Sequence, residues 1–435
     1  MNRRTLLKST VAATFVNLQA PAQSQSEPSS SFPPHFLWGA STAAHQVEGN
    51  DVNSDLWLLE HLPNSMFKEP SGDACDSYHL YEDDIAMLAD LGLNAYRFSL
   101  NWARIEPANG EFSLAELRHY RRMLEACHRN SITPLVTFFH VAAPRWFAYE
   151  GGWENPASID LFARYCSRAA EHLGDLIGWA ATFNEPNLLK LLSWISLPGG
   201  QRVTGMMVKA QSEARRQLNA AKFSSFLAGD PETMQRNMLL AHQKGKAAIK
   251  SAYPNLPVGL TLAMEDDQPE GAQSRVEEKR KEAYAAWLQL ARQDDFLGVQ
   301  TYTRQRVGSD HANLPPPKDS ELTQSGFEFY PEALEHTIRY ASKETRVPII
   351  VTENGIATSD DSRRIEYLQR AVQGVKRCLA DNIDVRGYLH WSLLDNFEWV
   401  SGYSQKFGLV AVDPRTQKRT IKTSATVLGN LARTS

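Results

Sequence analysis

The chain contains 435 residues, of which 42% are hydrophobic, 22% charged and 10% aromatic. This is the composition of an ordinary globular protein, and it excludes collagen-like, intrinsically disordered and disulfide-dense small proteins. Lysine and arginine number 46 against 50 aspartates and glutamates, so the formal net charge is −4. A mildly acidic protein lacks the basic patch that binding to nucleic acid or to an anionic membrane surface requires.

Residues 1–22 have the pattern of an export signal. The pair Arg3-Arg4 precedes a modest apolar run over Val11–Leu18, and Ala20-Pro21-Ala22 has the small–x–small form of a cleavage site. The apolar run is shorter than the about 20 residues that span a bilayer, and no membrane insertion is expected elsewhere in the chain. The segment resembles a twin-arginine signal, which predicts an exported, periplasmic protein.

From Phe32 onward, short β-rich runs alternate with longer helical patterns. The eight predicted strands are nearly continuous in apolar residues, as in a parallel sheet buried on both faces; they are Phe36–Ala43, Ala95–Leu100, Pro134–Phe139, Trp179–Phe183, Val258–Leu262, Phe296–Thr301, Pro348–Thr352 and Val385–Trp391. The predicted helices repeat apolar residues with the helical period; they are Asp83–Leu91, Leu114–Cys127, Ile159–Leu173, Met234–Lys250, Val276–Ala291, Pro331–Ser342 and Ser362–Leu379. This alternation predicts an α/β fold, a single (β/α)₈ TIM barrel over residues 32–435, preceded by a polar linker at residues 23–31.

Two connections are unusually long for a compact domain. Leu188–Pro231 follows the fourth predicted strand, and Arg304–Tyr330 follows the sixth. Long loops are commonly functional, and in a barrel the loops that follow strands line the active-site face. We therefore expect these two connections to form walls or lids of a binding site.

The four cysteines are widely spaced and form no C-x-x-C pair; they are Cys75, Cys127, Cys166 and Cys378. This spacing argues against metal binding and thioredoxin-like chemistry. An exported protein can hold one or two disulfides, but the apolar and helical contexts of these residues favour free, buried thiols.

Two glutamates end predicted barrel strands on the same face. Glu185 lies in the segment Thr182–Asn187 after the fourth strand, and Glu353 lies in Ile349–Gly355 after the seventh. Either one alone is more typical of a turn. Together they provide the paired carboxyl groups that hydrolysis of a glycosidic bond requires, because one must protonate the leaving oxygen while the other faces the oxocarbenium-like centre.

Over nearly all of residues 32–425, the chain resembles the β-glucosidases of glycoside hydrolase family 1. The motifs that carry the resemblance occur in the family's order; they are Phe36-Leu37-Trp38-Gly39-Ala40-Ser41-Thr42-Ala43, Gln46-Val47-Glu48-Gly49, Tyr96-Arg97-Phe98-Ser99, Trp102-Ala103-Arg104-Ile105, Thr182–Asn187, Thr352–Gly355, Trp391–Trp399 and Phe407-Gly408-Leu409. A single tetrapeptide would be weak evidence, but this ordered set is specific. The resemblance implies a retaining mechanism on small β-glycosides, with no metal and no cofactor.

The resemblance also implies a role for individual residues. Glu185 matches the family's general acid/base and Glu353 its nucleophile, while Arg97 and Tyr302 match residues that hydrogen-bond the nucleophile. Two carboxyl groups at close range raise the pKa of one of them, which would keep Glu185 protonated while Glu353 is charged. The residues that match sugar-binding positions are Gln46, His140, Asn184, Glu398 and Trp399, with Trp391 as the stacking platform.

The chain departs from the family's usual pattern at four places around the expected pocket. They are Val141-Ala142-Ala143 after His140, where the family commonly has Trp-Asp; Gln300-Thr301-Tyr302 in place of Asn-Tyr-Tyr; His45 in place of Tyr; and Lys406 in place of Arg. Val141 removes an aromatic wall of the sugar site, and Trp194 is the candidate to fill the gap. The preference among glucosides, galactosides and fucosides therefore stays open.

Two alternatives share this interpretation of the site. A transglycosidase would use the same residues and differ in what excludes water. A non-catalytic sugar-binding protein on the same barrel would lack one of the two glutamates or leave it unused, and both are present. Turnover of an aryl β-glucoside separates the binding protein from either enzyme.

Overall fold

The computed structural model describes residues 32–195 and 203–434. Its strands are β1 (Leu37–Ser41), β2 (Ala95–Ser99), β3 (Thr133–Phe139), β4 (Trp179–Asn184), β5 (Val258–Ala263), β6 (Asp266–Pro269), β7 (Leu297–Gln300), β8 (Arg304–Val307), β9 (Ile349–Glu353), β10 (Val385–Trp391), β11 (Val410–Val412) and β12 (Arg419–Ile421). Eight of them close into a barrel in the order β1-β10-β9-β7-β5-β4-β3-β2, and the pairings in it are parallel. The predicted (β/α)₈ barrel is confirmed, and the predicted export signal and linker lie outside the described residues.

Helices follow the barrel strands along the chain. They are α1 (Ala44–Val47), α2 (Asp55–Glu60), α3 (Ser77–Asp90), α4 (Trp102–Ile105), α5 (Leu114–Arg129), α6 (Arg145–Tyr149), α7 (Ser158–Leu173), α8 (Leu188–Leu192), α9 (Val203–Gln217), α10 (Pro231–Ala252), α11 (Val276–Arg280), α12 (Ala286–Ala291), α13 (Ala333–Thr345), α14 (Asp361–Ala380) and α15 (Thr423–Arg433). The predicted helix over Val276–Ala291 is divided by a π-helical turn at Lys281–Ala285. Helix α15 was not predicted.

The core has an inner and an outer layer. The inner cluster takes residues from strands all around the barrel; its members are Leu37, Ala95, Leu135, Ala181, Phe296, Ile350 and Leu389. A larger cluster packs the strands against the helices. Gly39 on β1 allows a close approach, since a Cβ there would lie 2.1 Å from the carbonyl oxygen of Ala95 on β2. The interior of the barrel is therefore filled by side chains.

The two long connections contain regular structure that the sequence did not predict. Leu188–Pro231 includes α8 and α9, and Arg304–Tyr330 begins with β8, which pairs in parallel with β6 beyond the end of β5. Both connections follow strands, so they extend from the carboxyl end of the barrel, where the predicted site residues lie.

The four cysteines are free and buried, which confirms the expected thiol state. They are distributed around the molecule, on the segment before α3 and on helices α5, α7 and α14. Among the described residues, no helix combines the length and the apolar character that crossing a bilayer requires.

Candidate active site

The two predicted catalytic glutamates lie at the carboxyl ends of two barrel strands. Glu353 is the last residue of β9, and Glu185 directly follows β4. The backbone N–H of Glu185 donates to the carbonyl oxygen of Thr261 on β5 at 2.9 Å. Glu185 has a left-handed φ of 45°, a conformation that is uncommon for a residue other than glycine and is found at functional sites. The sheet thus aims both side chains into the same end of the barrel.

Glu353 is held by two hydrogen-bond donors. Nη1 of Arg97 donates to its Oε1 at 2.5 Å, and Oη of Tyr302 donates to its Oε2 at 2.5 Å. Arg97 is itself fixed, because its Nε donates to Oγ1 of Thr137 at 3.1 Å. The structure therefore brings Arg97 and Tyr302 to the predicted nucleophile, each on a different oxygen.

The electrostatics of the two carboxyl groups differ. Burial, followed by the charge of Glu353, raises the pKa of Glu185 well above its ordinary value. Burial also raises the pKa of Glu353, but Arg97 and the hydrogen bond from Tyr302 oppose that rise. The sequence indicated charge repulsion as the cause of the raised pKa of Glu185, whereas burial is the larger cause of this rise. The donors on Glu353 therefore favour its ionised form, whereas burial and the neighbouring charge favour the protonated form of Glu185.

The predicted sugar-binding residues lie close to one another and to the catalytic glutamates. Nε2 of Gln46 donates to the carbonyl oxygen of Phe397 at 2.8 Å and to Oε2 of Glu398 at 3.3 Å. Burial and the charge of Glu353 raise the pKa of Glu398 to about 8, although hydrogen bonds from Trp391 and Gln46 oppose this shift. The surroundings of Glu398 therefore favour its protonated form more than water does.

His140 lies between two indoles. Its ring centroid is 5.9 Å from that of Trp391 and 6.0 Å from that of Trp399. Burial, followed by the charge of Arg97, holds the pKa of His140 well below its ordinary value, so the ring is neutral. Nδ1 of His140 and Oε1 of Gln46 are buried without a protein partner. Buried polar atoms are normally paired, so these two atoms are available for the hydroxyl groups of a ligand.

Asn184, the last residue of β4, has a fixed amide orientation. Its Oδ1 accepts from Nη2 of Arg97 at 2.6 Å, from Nε2 of Gln300 at 2.8 Å and from Oγ1 of Thr261 at 3.3 Å. Because Arg97 can only donate, the amide nitrogen must point away from these groups. No described residue accepts a hydrogen bond from that nitrogen, which leaves it free to donate to a ligand.

Gln300 and Thr261 are members of this network that sequence reasoning missed. Gln300 was noted only as a departure from the family's usual Asn, and Thr261 was noted only as part of a predicted strand. The positions of both at the carboxyl ends of neighbouring strands were the available signal, because such positions face the barrel mouth.

Trp194, the nearest candidate in sequence to fill the space beside Val141, packs elsewhere. Trp194 is buried in a separate cluster with Val276 and Val307, and its indole N–H donates to Glu282 at 3.0 Å. Val141 belongs to the main core and has a left-handed φ of 66°, which is a strained conformation for a β-branched residue.

One group of described residues has a spacing that could hold a cation, and it lies apart from the glutamate pair. It consists of Glu278, Glu282 and His311. Glu278 is already bound through both oxygens by Arg275, and Glu282 accepts from the indole of Trp194. These carboxylates are committed to protein partners, so the arrangement makes no case for a metal centre.

Comparison with known proteins gives one consistent result. The model of glycosyl hydrolase family 1 matches residues 28–292 and 288–435. Beta-glucosidase A of Thermotoga maritima is 30% identical over 445 residues, which cover 92% of this chain and 98% of the relative.

Two solved structures are closer in sequence. The apo structure of a beta-glucosidase 1317 is 47% identical with a TM-score of 0.89, covering 92% of this chain and 98% of the other. The crystal structure of the beta-glycosidase BGL167 is 50% identical with a TM-score of 0.87, covering 93% and 97%. The similarity thus extends over the whole barrel and its loops.

Proposed function

The chain belongs to glycosyl hydrolase family 1 and is a retaining β-glycosidase; we propose that Glu353 is its nucleophile and Glu185 its general acid and base. The asymmetry between the two carboxyl groups carries this assignment. Glu353 accepts hydrogen bonds from Arg97 and Tyr302, both of which favour an ionised and correctly aimed carboxylate. No described residue donates a hydrogen bond to the carboxyl of Glu185, and its burial favours the protonated form.

In the first step, a carboxylate oxygen of Glu353 forms a bond to the anomeric carbon while the bond from that carbon to the aglycone oxygen breaks. Glu185 transfers its proton to the departing oxygen, and the products are a glycosyl ester and a free alcohol or phenol. Arg97 and Tyr302 hold the nucleophile in a buried, preorganised site, where electrostatic interactions are stronger than in water.

In the second step, Glu185 acts as a base. Formation of the ester removes the charge of Glu353, which is the second cause of the raised pKa of Glu185, so that pKa falls. Glu185 then accepts a proton from water as the water oxygen attacks the anomeric carbon and the ester bond breaks. Two successive inversions return the original anomeric configuration.

We propose that the sugar is bound by the six residues that match the family's sugar-binding positions: Gln46, His140, Asn184, Glu398, Trp399 and the platform Trp391. Support comes from two buried atoms that have no protein partner, namely Oε1 of Gln46 and Nδ1 of His140, and from the orientation of Asn184, whose Oδ1 is taken up by Arg97 and Gln300. A sugar hydroxyl both donates and accepts, so it can satisfy each of these atoms, while an indole face suits the C–H side of a pyranose ring. We propose small β-glucoside-like compounds as the substrates.

Chemical rescue of a nucleophile variant tests this assignment. Glu353→Gly should abolish hydrolysis of an aryl β-glucoside, and azide should restore partial turnover because a small anion can occupy the vacated site. The azide attacks from the face that Glu353 normally uses, so the product should be the inverted glycosyl azide. Wild-type enzyme with azide is the control, and NMR of the product gives the anomeric configuration.

Rescue that yields the retained anomer, or full activity of Glu353→Gly without azide, would show that another residue is the nucleophile. There are two alternatives. In a non-catalytic sugar-binding protein, the hydrogen bonds from Arg97 and Tyr302 that orient Glu353 would have no function. A transglycosidase shares every residue named, and the ratio of hydrolysis to transfer products distinguishes it.

We further propose that the protein is exported to the periplasm through the twin-arginine-like segment at residues 1–22. The pattern of Arg3-Arg4, a weak apolar run and a small–x–small site supports this proposal. The four free thiols are compatible with folding in a reducing compartment before export, because the fold uses no disulfide.

A further inference from the structure

His45 on α1 is a fully buried histidine that the catalytic cycle does not use. Its Nδ1 lies 2.9 Å from Oδ2 of Asp51, and its Nε2 lies 2.7 Å from Oε1 of Glu60. Carboxylate oxygens only accept, so each ring nitrogen must donate and the ring is an imidazolium. In agreement with this geometry, hydrogen bonds and charge from Asp51 and Glu60 overcome the opposing effect of burial and raise the pKa of His45 to about 10.

The carboxylates that hold His45 are themselves anchored. Oε2 of Glu60 accepts from the backbone N–H of Ser71 at 2.9 Å and from its hydroxyl at 2.7 Å. The charged groups beyond them are the ion pair of Glu48 with Arg104, at 3.0 Å, and the buried Asp55. Each of the two salt bridges of His45 is buried, so the position of the imidazolium is rigidly determined.

One face of this imidazolium lies against Trp399, one of the proposed sugar-binding residues. The two rings are nearly parallel, with an interplanar angle of 5° and centroids 6.1 Å apart. The neutral His140 also contacts the indole, at 6.0 Å and 30°. The separation of 6.1 Å places this stacked cation at the outer limit of a cation–π contact, so His45 adds a weak electrostatic attraction that the neutral His140 does not provide.

Trp399 lies in a short turn whose backbone conformation is strained. It has a left-handed φ of 46°, begins a three-residue 3₁₀ turn that ends at Ser401, and is followed by the exposed Val400. Strained backbone of this kind persists only when the surrounding structure fixes it. Two flanking rings supply that constraint, and one of them is the ion-paired histidine.

We propose that His45, held as an imidazolium between Asp51 and Glu60, is a positioning residue that fixes Trp399 in the sugar pocket. It acts through Trp399 and not on the reacting atoms, so it affects sugar affinity more than the chemical step. A tyrosine, common at this position in the family, cannot replace it alone, because one phenol cannot donate to both buried carboxylates. The inference rests on the proposed function, since it assumes that Trp399 contacts the sugar.

The experiment compares three variants in the full-length protein. His45→Gln removes the ring and the charge. The double variant His45→Tyr with Glu60→Gln restores an aromatic ring without a charge and replaces the carboxylate that faces Nε2 by a neutral amide. His242→Gln is the matched control, since His242 is buried between Thr182 at 2.7 Å and Asp294 at 3.1 Å and has no ring contact with the pocket.

Each variant is assayed for kcat on an aryl β-glucoside, for the inhibition constant of a non-hydrolysable methyl 1-thio-β-glucoside, and for its thermal midpoint. His45→Gln should raise the inhibition constant about tenfold and change kcat by less than about threefold, as loss of an aromatic and charged contact predicts. The double variant should raise the inhibition constant at least about threefold, because the charge is still missing. His242→Gln should lower the thermal midpoint and leave the inhibition constant unchanged.

An unchanged inhibition constant in His45→Gln would overturn the proposal, and so would a double variant that binds the thioglucoside as tightly as wild type. If His45→Gln does not fold, the double variant decides the matter on its own. Failure of the proposed function looks different, because the wild-type protein would then neither hydrolyse the aryl glucoside nor bind the thioglucoside.

Discussion

Tyr302 provides one of the two hydrogen bonds that favour the ionised form of Glu353. Tyr302→Phe removes this bond and keeps the ring, so the pKa of Glu353 should rise further above its ordinary value. Catalysis requires the ionised nucleophile, and the acid limb of kcat/KM should therefore move to higher pH by about one unit. Tyr340→Phe is the matched control, because Tyr340 packs on Arg280 away from the pocket. An acid limb that stays in place or moves to lower pH would contradict this role.

Glu185 should matter most when the leaving group needs a proton. In Glu185→Ala, kcat/KM for an alkyl β-glucoside should fall at least about a hundredfold more than kcat/KM for a dinitrophenyl β-glucoside, because dinitrophenolate departs without protonation. The ratio of the two losses is the measured quantity, and it is independent of the fraction of folded protein. Equal losses on both substrates would mean that Glu185 is not the proton donor.

At the residue scale, the sequence was informative where a short motif ends a strand. Glu185 and Glu353 were identified in this way, Arg97 and Tyr302 were identified by the family resemblance, and the structure places Arg97 and Tyr302 on Glu353. The partners that complete the site come from distant parts of the chain. Gln300 and Asn184, for example, are 116 positions apart, and nothing in their local patterns indicates a contact. Such pairs depend on strand register, which one sequence without structure does not provide.

Helix α10 has a cap whose contribution can be measured. It begins with Pro231, and the carboxylate of Asp230 accepts from the backbone N–H of Thr233 at 2.9 Å. Asp230→Ala should lower the free energy of unfolding by about 1 kcal/mol, and kcat should stay unchanged because α10 packs on α7 outside the barrel. Denaturant titration gives the stability. Asp230→Asn keeps an acceptor and should lose clearly less, so equal losses in the two variants would refute the capping role.

At the element scale, the barrel strands were predicted to within a few residues because each is a short apolar run buried on both faces. The final helix, α15, was missed because its sequence contains Thr423, Val427 and Gly429, which are poor helix formers. Tertiary contacts stabilise it instead. The backbone N–H and the hydroxyl of Ser424 both donate to Asp361 at the start of α14, at 2.8 and 2.7 Å.

For the whole molecule, the export proposal makes a direct prediction. Replacing Arg3 and Arg4 together by lysine should leave the protein in the cytoplasm, because the twin-arginine pathway reads this pair. The cytoplasmic protein should be folded and active, since its four thiols need no oxidation. Activity assays on periplasmic and cytoplasmic fractions measure the outcome, with a variant at Lys8 as the control. Unchanged periplasmic activity in the double variant would refute the proposal.

The closed barrel explains why residues so far apart in sequence share one site. Strands β4 and β9 are separated by β5 and β7 in the barrel order, and all of these strands are parallel, so their carboxyl ends meet at one rim. The sequence predicted this arrangement through the alternation of strands and helices. It did not predict which loops carry further elements, because these depend on tertiary contacts: β8 pairs with β6, and α8 packs on α9 and on the π-helical turn at Lys281–Ala285.

The four free, buried thiols can serve as probes of local unfolding. Burial raises the pKa of each thiol, so in the closed molecule neither the thiolate nor access for a reagent is available. Cys75, Cys127, Cys166 and Cys378 lie on different helices or segments around the barrel. Pulse alkylation followed by mass spectrometry would therefore give an alkylation rate for each cysteine, and these rates would show which part of the barrel opens first and how often.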